Sequence, residues 1–222
     1  MRLIRCFGEK SAVEDRIRSV KPDVQAEIAN DCLDNVVTFY DIEDNDFYDI
    51  LEELDDIIYN DADITLEETF VNFLAVNNLM AAVAESCTGG LISAGIVNVS
   101  GASKVFYEGV VTYSNQSKIY RLGVSPESLA EFGAVSSEVA KEMAYGLIDD
   151  EVDIAISTTG IAGPDGGTPE KPVGLVYIGI AGASLEEPIA IRNIFKGTRS
   201  EIRRSAKNAS LFYALQFLRK NY

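Results

Sequence analysis

The amino-acid sequence predicts an α/β protein: a three-layer α/β/α sandwich built on a mixed sheet, preceded by a small acidic α+β domain. Three observations lead there. From about residue 64 onward, short apolar strand-like runs alternate with segments of helical periodicity, the pattern of a sheet covered on both faces. The runs at 173–181 and 188–195 have hairpin-like spacing, so part of that sheet is expected to be antiparallel. The third observation is charge. The 222 residues carry a net charge of −16, and residues 1–70 hold 20 Asp and Glu against 6 Lys and Arg. We therefore divide the chain into domains 1–63 and 64–222.

In the front part, residues 10–20 read as a short helix. The run V-V-T-F-Y (36–40) is strand-like by its β-branched and aromatic content. F-Y-D-I-L and L-D-D-I-I-Y, further along, read as an acidic amphipathic helix. Thr65 and Glu68 match a capping box, and Phe70, Phe73, Leu74 and Leu79 follow on one helical face. The elements predicted next are a strand at 80–85, a helix at 87–99, a strand at 105–113 and short helices at 115–121 and 126–132. A helix at 138–149 is capped by Ser136 or Ser137, and strands follow at 152–159, 173–181 and 188–195. Thr198 and Glu201 form a second capping box that opens a terminal helix reaching about Asn221.

Composition narrows the functions available. Apolar residues make up 47% and charged residues 24%, enough for a buried core and too apolar for global disorder. No apolar run approaches the roughly 18 residues of a membrane span, and the first ten residues lack the apolar core of a secretory signal. Cys6, Cys32 and Cys87 show no C-x-x-C spacing, which with the odd count is read as reduced thiols in a cytoplasm. The acidic front keeps the protein soluble and repels nucleic acid and anionic membranes. No cluster has metal-ligand spacing, so neither metal nor cofactor is expected. There is no histidine at all, which removes Ser-His and Cys-His catalysis, imidazole metal sites and imidazole acid/base work.

Four segments place reactive or backbone-exposing residues at strand ends. In E-S-C-T-G-G (85–90), Ser86 stands where a strand gives way to a helix; it is either a nucleophile beside free N–H groups or simply the helix cap. Cys87 is the other nucleophile in reach, but adjacent side chains point apart, so only one of the two can face a site. Gly89 and Gly90 would let a ligand approach the backbone. In T-Y-S-N-Q-S-K (112–118), Lys118 is either a surface lysine or, if desolvated, the base that a serine needs in the absence of histidine. T-G-I-A-G-P-D-G-G (159–167) is either a plain loop or an anion nest, and it matches neither the P-loop nor the dinucleotide fingerprint. In F-K-G-T-R-S-E-I-R-R (195–204), Arg199 and Arg203 share a helix face near its start, where the dipole disfavours cations; they hold either an anionic ligand or surface carboxylates.

Taken together, these segments resemble the CinA carboxy-terminal domain, the nicotinamide mononucleotide deamidase family. A-E-S-C-T-G-G, G-V-V-T-Y-S-N-x-x-K, F-G-A-V-S-S-E-V-A, T-G-I-A-G-P-D-G-G-T-P-E-K-P-V-G-L-V-Y-I-G and F-x-G-x-R-x-x-I-R occur in family order between about residues 66 and 221. The resemblance implies hydrolysis of the carboxamide of nicotinamide mononucleotide to nicotinate mononucleotide and ammonia, by a Ser/Lys arrangement without a metal. Ser86 then corresponds to the nucleophile and Lys118 to its base. Thr88, Gly89, Gly90, Tyr113, Asn115, Thr159, Gly160, Ile161, Ala162 and Gly163 correspond to the substrate pocket. Arg199 or Arg203 corresponds to the substrate-anchoring arginine, with Arg199 preferred. Where the family often has G-D-R, this chain has Gly197-Thr198-Arg199, and the lost Asp is expected to loosen the arginine modestly.

Residues 1–62 resemble, chiefly through F-G-E-K-S-A-V-E-D-R-I (7–17), the KH-like segment preceding this domain in longer CinA proteins. They lack the G-x-x-G loop and positive charge of an RNA-gripping module, so no nucleic-acid partner is expected. No molybdopterin-binding-like domain is recognised, and the pyrophosphatase-type activity associated with it is expected to be absent. A homodimer is expected. The competing expectations are a non-catalytic nucleotide-binding or interaction protein of the same fold, and an amidase for another pyridine or nucleoside amide.

Overall fold

The computed structural model describes residues 1–182 and 185–222. The chain forms two compact units, Met1–Thr69 and Phe70–Tyr222. The division falls within the helix that the Thr65–Glu68 box opens.

The first unit contains β1 (Arg2–Phe7), α1 (Lys10–Val20), β2 (Gln25–Asp31), β3 (Asp34–Tyr40), α2 (Asp44–Glu53) and β4 (Ile58–Asn60). Its four strands are antiparallel, in the order β2-β3-β1-β4. Ile4, Cys6, Val37 and Phe39 of the sheet are buried with Val13 and Ile17 of α1 and Phe47 and Ile50 of α2. Helix 10–20 and strand 36–40 are found. L-D-D-I-I-Y is not helical: α2 stops at Glu53, and Ile58 and Tyr59 instead join strand β4, where Tyr59 is buried. Strand pairing with β1 overrides the helical spacing of those residues.

The second unit completes α3 (Leu66–Asn77) and continues with β5 (Ala81–Glu85), α4 (Leu91–Val97) and β6 (Phe106–Val111). Then come α5 (Asn115–Leu122), α6 (Pro126–Glu131), α7 (Ser137–Tyr145), β7 (Ile154–Gly160), β8 (Leu175–Gly182), β9 (Ile189–Ile194) and α8 (Arg199–Asn221). The sheet order is β6-β5-β7-β8-β9: β6, β5 and β7 are mutually parallel, and β8 and β9 are antiparallel. It is the mixed α/β sheet that the alternating pattern and the hairpin spacing predict.

Every residue of β5 is buried, as a central parallel strand requires. Ala82 and Ala84 point into the core shared with Leu122 of α5 and Val139, Met143 and Ala144 of α7, while α4 and α8 pack together away from them. The approach of α7 to the sheet depends on small residues. A Cβ at Gly179 of β8 would come within 2.2 Å of the Ala140 carbonyl oxygen, and the Ser157 hydroxyl donates to that carbonyl at 2.5 Å. The caps that the sequence predicts are present: Ser136 accepts from Val139 N, and Thr198 and Glu201 close their box at the start of α8. Two boundaries are corrected. The helix expected over 138–149 ends at Tyr145. The helix expected to begin at residue 87 begins at Leu91, after a turn in which Gly89 and Gly90 have φ of +60° and +96°.

Candidate active site

The carboxyl ends of β5, β6 and β7 lie along one edge of the sheet, the usual place for a site in a parallel α/β layer. Strand period two decides what faces what there. Ala82 and Ala84 face the α5/α7 layer, Ser86 continues that side, and Glu85 turns to the other. Glu85 is fully buried at the start of α4. Its carboxylate accepts from Gly90 N (2.8 Å), Ile92 N (3.2 Å), Ser93 N (2.9 Å) and the Ser93 hydroxyl (2.7 Å). Ser86 is therefore not the helix cap: Gly90 holds the N-cap position, and the Glu85 carboxylate, from the end of β5, serves the N–H groups there. Three N–H groups at that helix start, those of Gly90, Ile92 and Ser93, are already taken by Glu85.

Ser86 is left for other work. Past Val111, β6 turns into Thr112–Ser114, and Ser114 caps α5 by accepting from Ser117 N at 3.1 Å. On α5, Lys118 and Leu122 lie four apart on the buried face. The Lys118 side chain is 1% exposed. Its Nζ lies 3.0 Å from Ser86 Oγ, 2.7 Å from the Thr112 carbonyl oxygen and 3.4 Å from that of Tyr113. Among the described residues no carboxylate forms an ion pair with it. Burial pulls its pKa down from 10.5 to about 8, with Cys87 acting in the opposite direction. A neutral amine has two N–H groups and one lone pair. In the neutral form, with the two carbonyls accepting the N–H groups, the lone pair would be free for the Ser86 hydroxyl.

Ser86, Lys118, Cys87, Tyr113, Ala134, Val135, Thr159, Gly160, Ala162 and Arg199 line a cleft of about 250 Å³. Arg199 Nη1 donates to the Gly163 carbonyl at 2.8 Å, which ties the start of α8 to the glycine-rich turn. Thr159 Oγ1 donates to Ala134 O at 2.6 Å, and Lys171 Nζ donates to Phe132 O and Val135 O at 2.6 and 2.8 Å. These bonds fix the wall facing Lys118. Burial pushes the Cys87 thiol up to about 11, so it is protonated at neutral pH and does not compete as a thiolate.

Other expected site residues lie outside the cleft lining. Thr88 is buried, with its hydroxyl 2.7 Å from that of Thr158. Gly89 and Gly90 shape the turn. Asn115 is exposed in the first turn of α5, and Ile161 and Gly163 support the cleft through backbone bonds. Arg203 does not line the cleft either: Nε donates to Cys87 O at 3.0 Å and Nη2 to Thr88 O at 2.5 Å. Sequence reasoning missed Glu85, the Ala134–Val135 wall and the tie through Lys171. A charged residue closing the apolar run A-A-V-A-E was the one available signal for Glu85. Among the described residues, no group of three or more acidic or cysteine side chains is placed to hold a metal, and no helix is long and apolar enough to cross a membrane.

The CinA C-terminal domain family model matches residues 63–221. A CinA-like protein of Kosmotoga olearia is 49% identical over 173 residues, 77% of this chain and 40% of that protein. A Caldicellulosiruptor saccharolyticus protein named for the competence-damage inducible group is 47% identical over 206 residues, 92% of this chain and 47% of that one. The chain thus spans less than half the length of these curated relatives. Among solved structures, the competence/damage inducible protein CihA from Agrobacterium tumefaciens superposes with a TM-score of 0.65 at 37% identity, covering 68% of this chain and 93% of that one. A CinA superfamily protein from Enterobacter cloacae superposes with a TM-score of 0.65 at 32% identity, covering 72% and 96%. With the matched model spanning all but the last residue of the second unit and the cleft within it, the chain belongs to the CinA C-terminal domain family.

Proposed function

We propose that this protein is an amidase that hydrolyses the carboxamide of nicotinamide mononucleotide to nicotinate mononucleotide and ammonia. The observation that carries the chemistry is the buried amine of Lys118, without a carboxylate partner, 3.0 Å from Ser86 Oγ. The choice of substrate rests on the motifs shared with the nicotinamide mononucleotide deamidase family.

In this reading the Ser86 hydroxyl oxygen attacks the amide carbon, and its proton passes to the neutral Lys118 amine. The new C–O bond leaves negative charge on the former carbonyl oxygen. Backbone N–H groups of the Cys87–Gly89 stretch receive that charge, each donor contributing roughly 3–4 kcal/mol. As the C–N bond breaks, Lys118 returns the proton to the nitrogen and ammonia departs. Water then attacks the acyl-serine, Lys118 takes one of its protons and returns it to Ser86 Oγ as the ester C–O bond breaks, and the acid released gives its remaining proton to solvent to become the carboxylate. Arg199, the second cation on the cleft, faces the phosphate. Thr198 still caps α8 through its box with Glu201, so the missing Asp of the G-D-R pattern leaves the helix start intact.

The test is ammonia release from the purified chain with nicotinamide mononucleotide, nicotinamide riboside and nicotinamide. We expect turnover of the mononucleotide and its loss, on the order of 10⁴-fold or more, in Ser86→Ala. Undiminished release by Ser86→Ala removes the nucleophile. Binding without turnover by the unaltered chain removes the enzyme, and equal turnover of the riboside removes the phosphate from recognition.

A further inference from the structure

We propose that Arg203 is a positioning residue that builds the oxyanion site of Ser86, rather than an anchor for substrate. This inference rests on the amidase reading and adds the part that the cleft lining does not contain. The guanidinium grips two successive carbonyls, Cys87 O at 3.0 Å and Thr88 O at 2.5 Å, which lie 116 and 115 residues away in the sequence. In a trans peptide the carbonyl and the following N–H point in opposite directions. Holding the Cys87 and Thr88 carbonyls against one guanidinium therefore turns the Thr88 and Gly89 N–H groups away from it. Neither N–H donates to a protein acceptor among the described residues.

Three further contacts hold that peptide pair in place. Glu85 ties down the N–H groups of Gly90, Ile92 and Ser93, so those donors are spent. The Thr88 hydroxyl is locked against Thr158 in the interior, which prevents the peptide from rotating with its side chain. Gly89 has φ of +60°, and a Cβ there would sit 3.2 Å from Arg203 Nη2. The glycine lets the loop take this conformation with the guanidinium packed against it. The result is two adjacent free donors immediately after the serine, produced by an arginine on a different helix. A planar, two-pronged guanidinium can bridge two carbonyls in a fixed relation; an ammonium cannot.

The experiment compares Arg203→Ala, Arg203→Lys and Arg199→Ala with the unaltered chain. It uses ammonia release, split into kcat and KM, and the rate at which a fluorophosphonate labels Ser86. That labelling displaces fluoride as Oγ bonds to phosphorus, and it needs oxyanion donors but no nucleotide recognition. We expect Arg203→Ala to lower kcat about 100-fold with KM changed by less than about threefold, and to slow labelling by at least about tenfold. Arg203→Lys, which preserves charge and bulk, is expected to fold and to recover only part of the loss. Arg199→Ala is expected to raise KM for the mononucleotide and to leave labelling near its original rate.

A KM-only effect of Arg203→Ala, or unchanged labelling, overturns the inference. So does an Arg203→Lys variant that is fully active, and that variant decides the matter if Arg203→Ala does not fold. If the unaltered chain releases no ammonia yet is labelled, and the Arg203 variants slow the labelling, the substrate assignment fails and the positioning role stands. If it is neither active nor labelled, both fail.

Discussion

Two clefts of similar size, each containing a lysine, lie in different units of this protein and do opposite things to it. In the first unit, Lys21 lines a cleft of about 210 Å³ with Asp23, Asp41, Glu43 and Asp46. Its amine pairs with Asp46 at 2.8 Å, and that hydrogen bond raises its pKa. In the second unit, Lys118 has no carboxylate partner, is buried, and is pulled down to about 8. The dense acidity of residues 1–70 makes a neutral lysine unattainable in the first cleft. The near-neutral balance of the second unit, and the apolar face of α5, make one possible. Being at a cleft is therefore not what lowers a lysine's pKa; desolvation without a counter-charge is, and the proposed base role of Lys118 depends on it.

The contrast can be broken or sharpened in four ways. The largest effect is expected from Lys118→Arg, which keeps the charge but cannot give up a proton: ammonia release should fall by about 100-fold or more with the fold intact by circular dichroism. Glu85→Ala removes a buried acceptor of four hydrogen bonds and strands the N–H groups at the start of α4. We expect a loss of about 3 kcal/mol in urea unfolding, and a loss under about 1 kcal/mol would mean that water replaces the carboxylate there.

Next comes the pH profile. Because the lowered pKa of Lys118 is that of its conjugate acid, the working neutral form is scarce below about 8. Thus kcat/KM should rise about tenfold per pH unit toward about 8 and level above it. A profile flat from pH 6 to 9 would contradict a lysine base. The smallest effect is expected from Asp46→Asn. Lys21 loses the partner that raises its pKa, which should fall toward the ordinary lysine value by NMR titration, while ammonia release and its pH midpoint stay where they are. A shift in that midpoint would mean that the two lysines are not independent.

Legibility differed between the two units for identifiable reasons. In the second unit, strands and helices are long or strongly capped, and the Ser136 and Thr198 caps could be read directly. In the first unit, β2 and β3 form a hairpin whose two-residue turn is Cys32-Leu33, with φ of +54° and +75°. Turns of that kind normally advertise themselves with Asn-Gly or Gly, and here nothing does. Strand β4, only three residues long, borrows its order from β1 and carries no periodic signal of its own.

By itself, the sequence determined that there would be a layered α/β domain, an acidic front and a chemistry without imidazole, because composition, periodicity and caps are local properties. It also offered a serine at one strand end and a lysine on the short helix that follows another strand. Only the tertiary structure decided that they meet, since a 3.0 Å approach between residues 32 apart depends on parallel pairing of β5 with β6 and on the face that α5 buries. It also decided between Glu85 and Ser86 for the N–H groups at the start of α4, and between Arg199 and Arg203 for the cleft. Those choices turn on which side of a strand or helix a residue faces once neighbours are packed, and spacing along a chain does not contain that information.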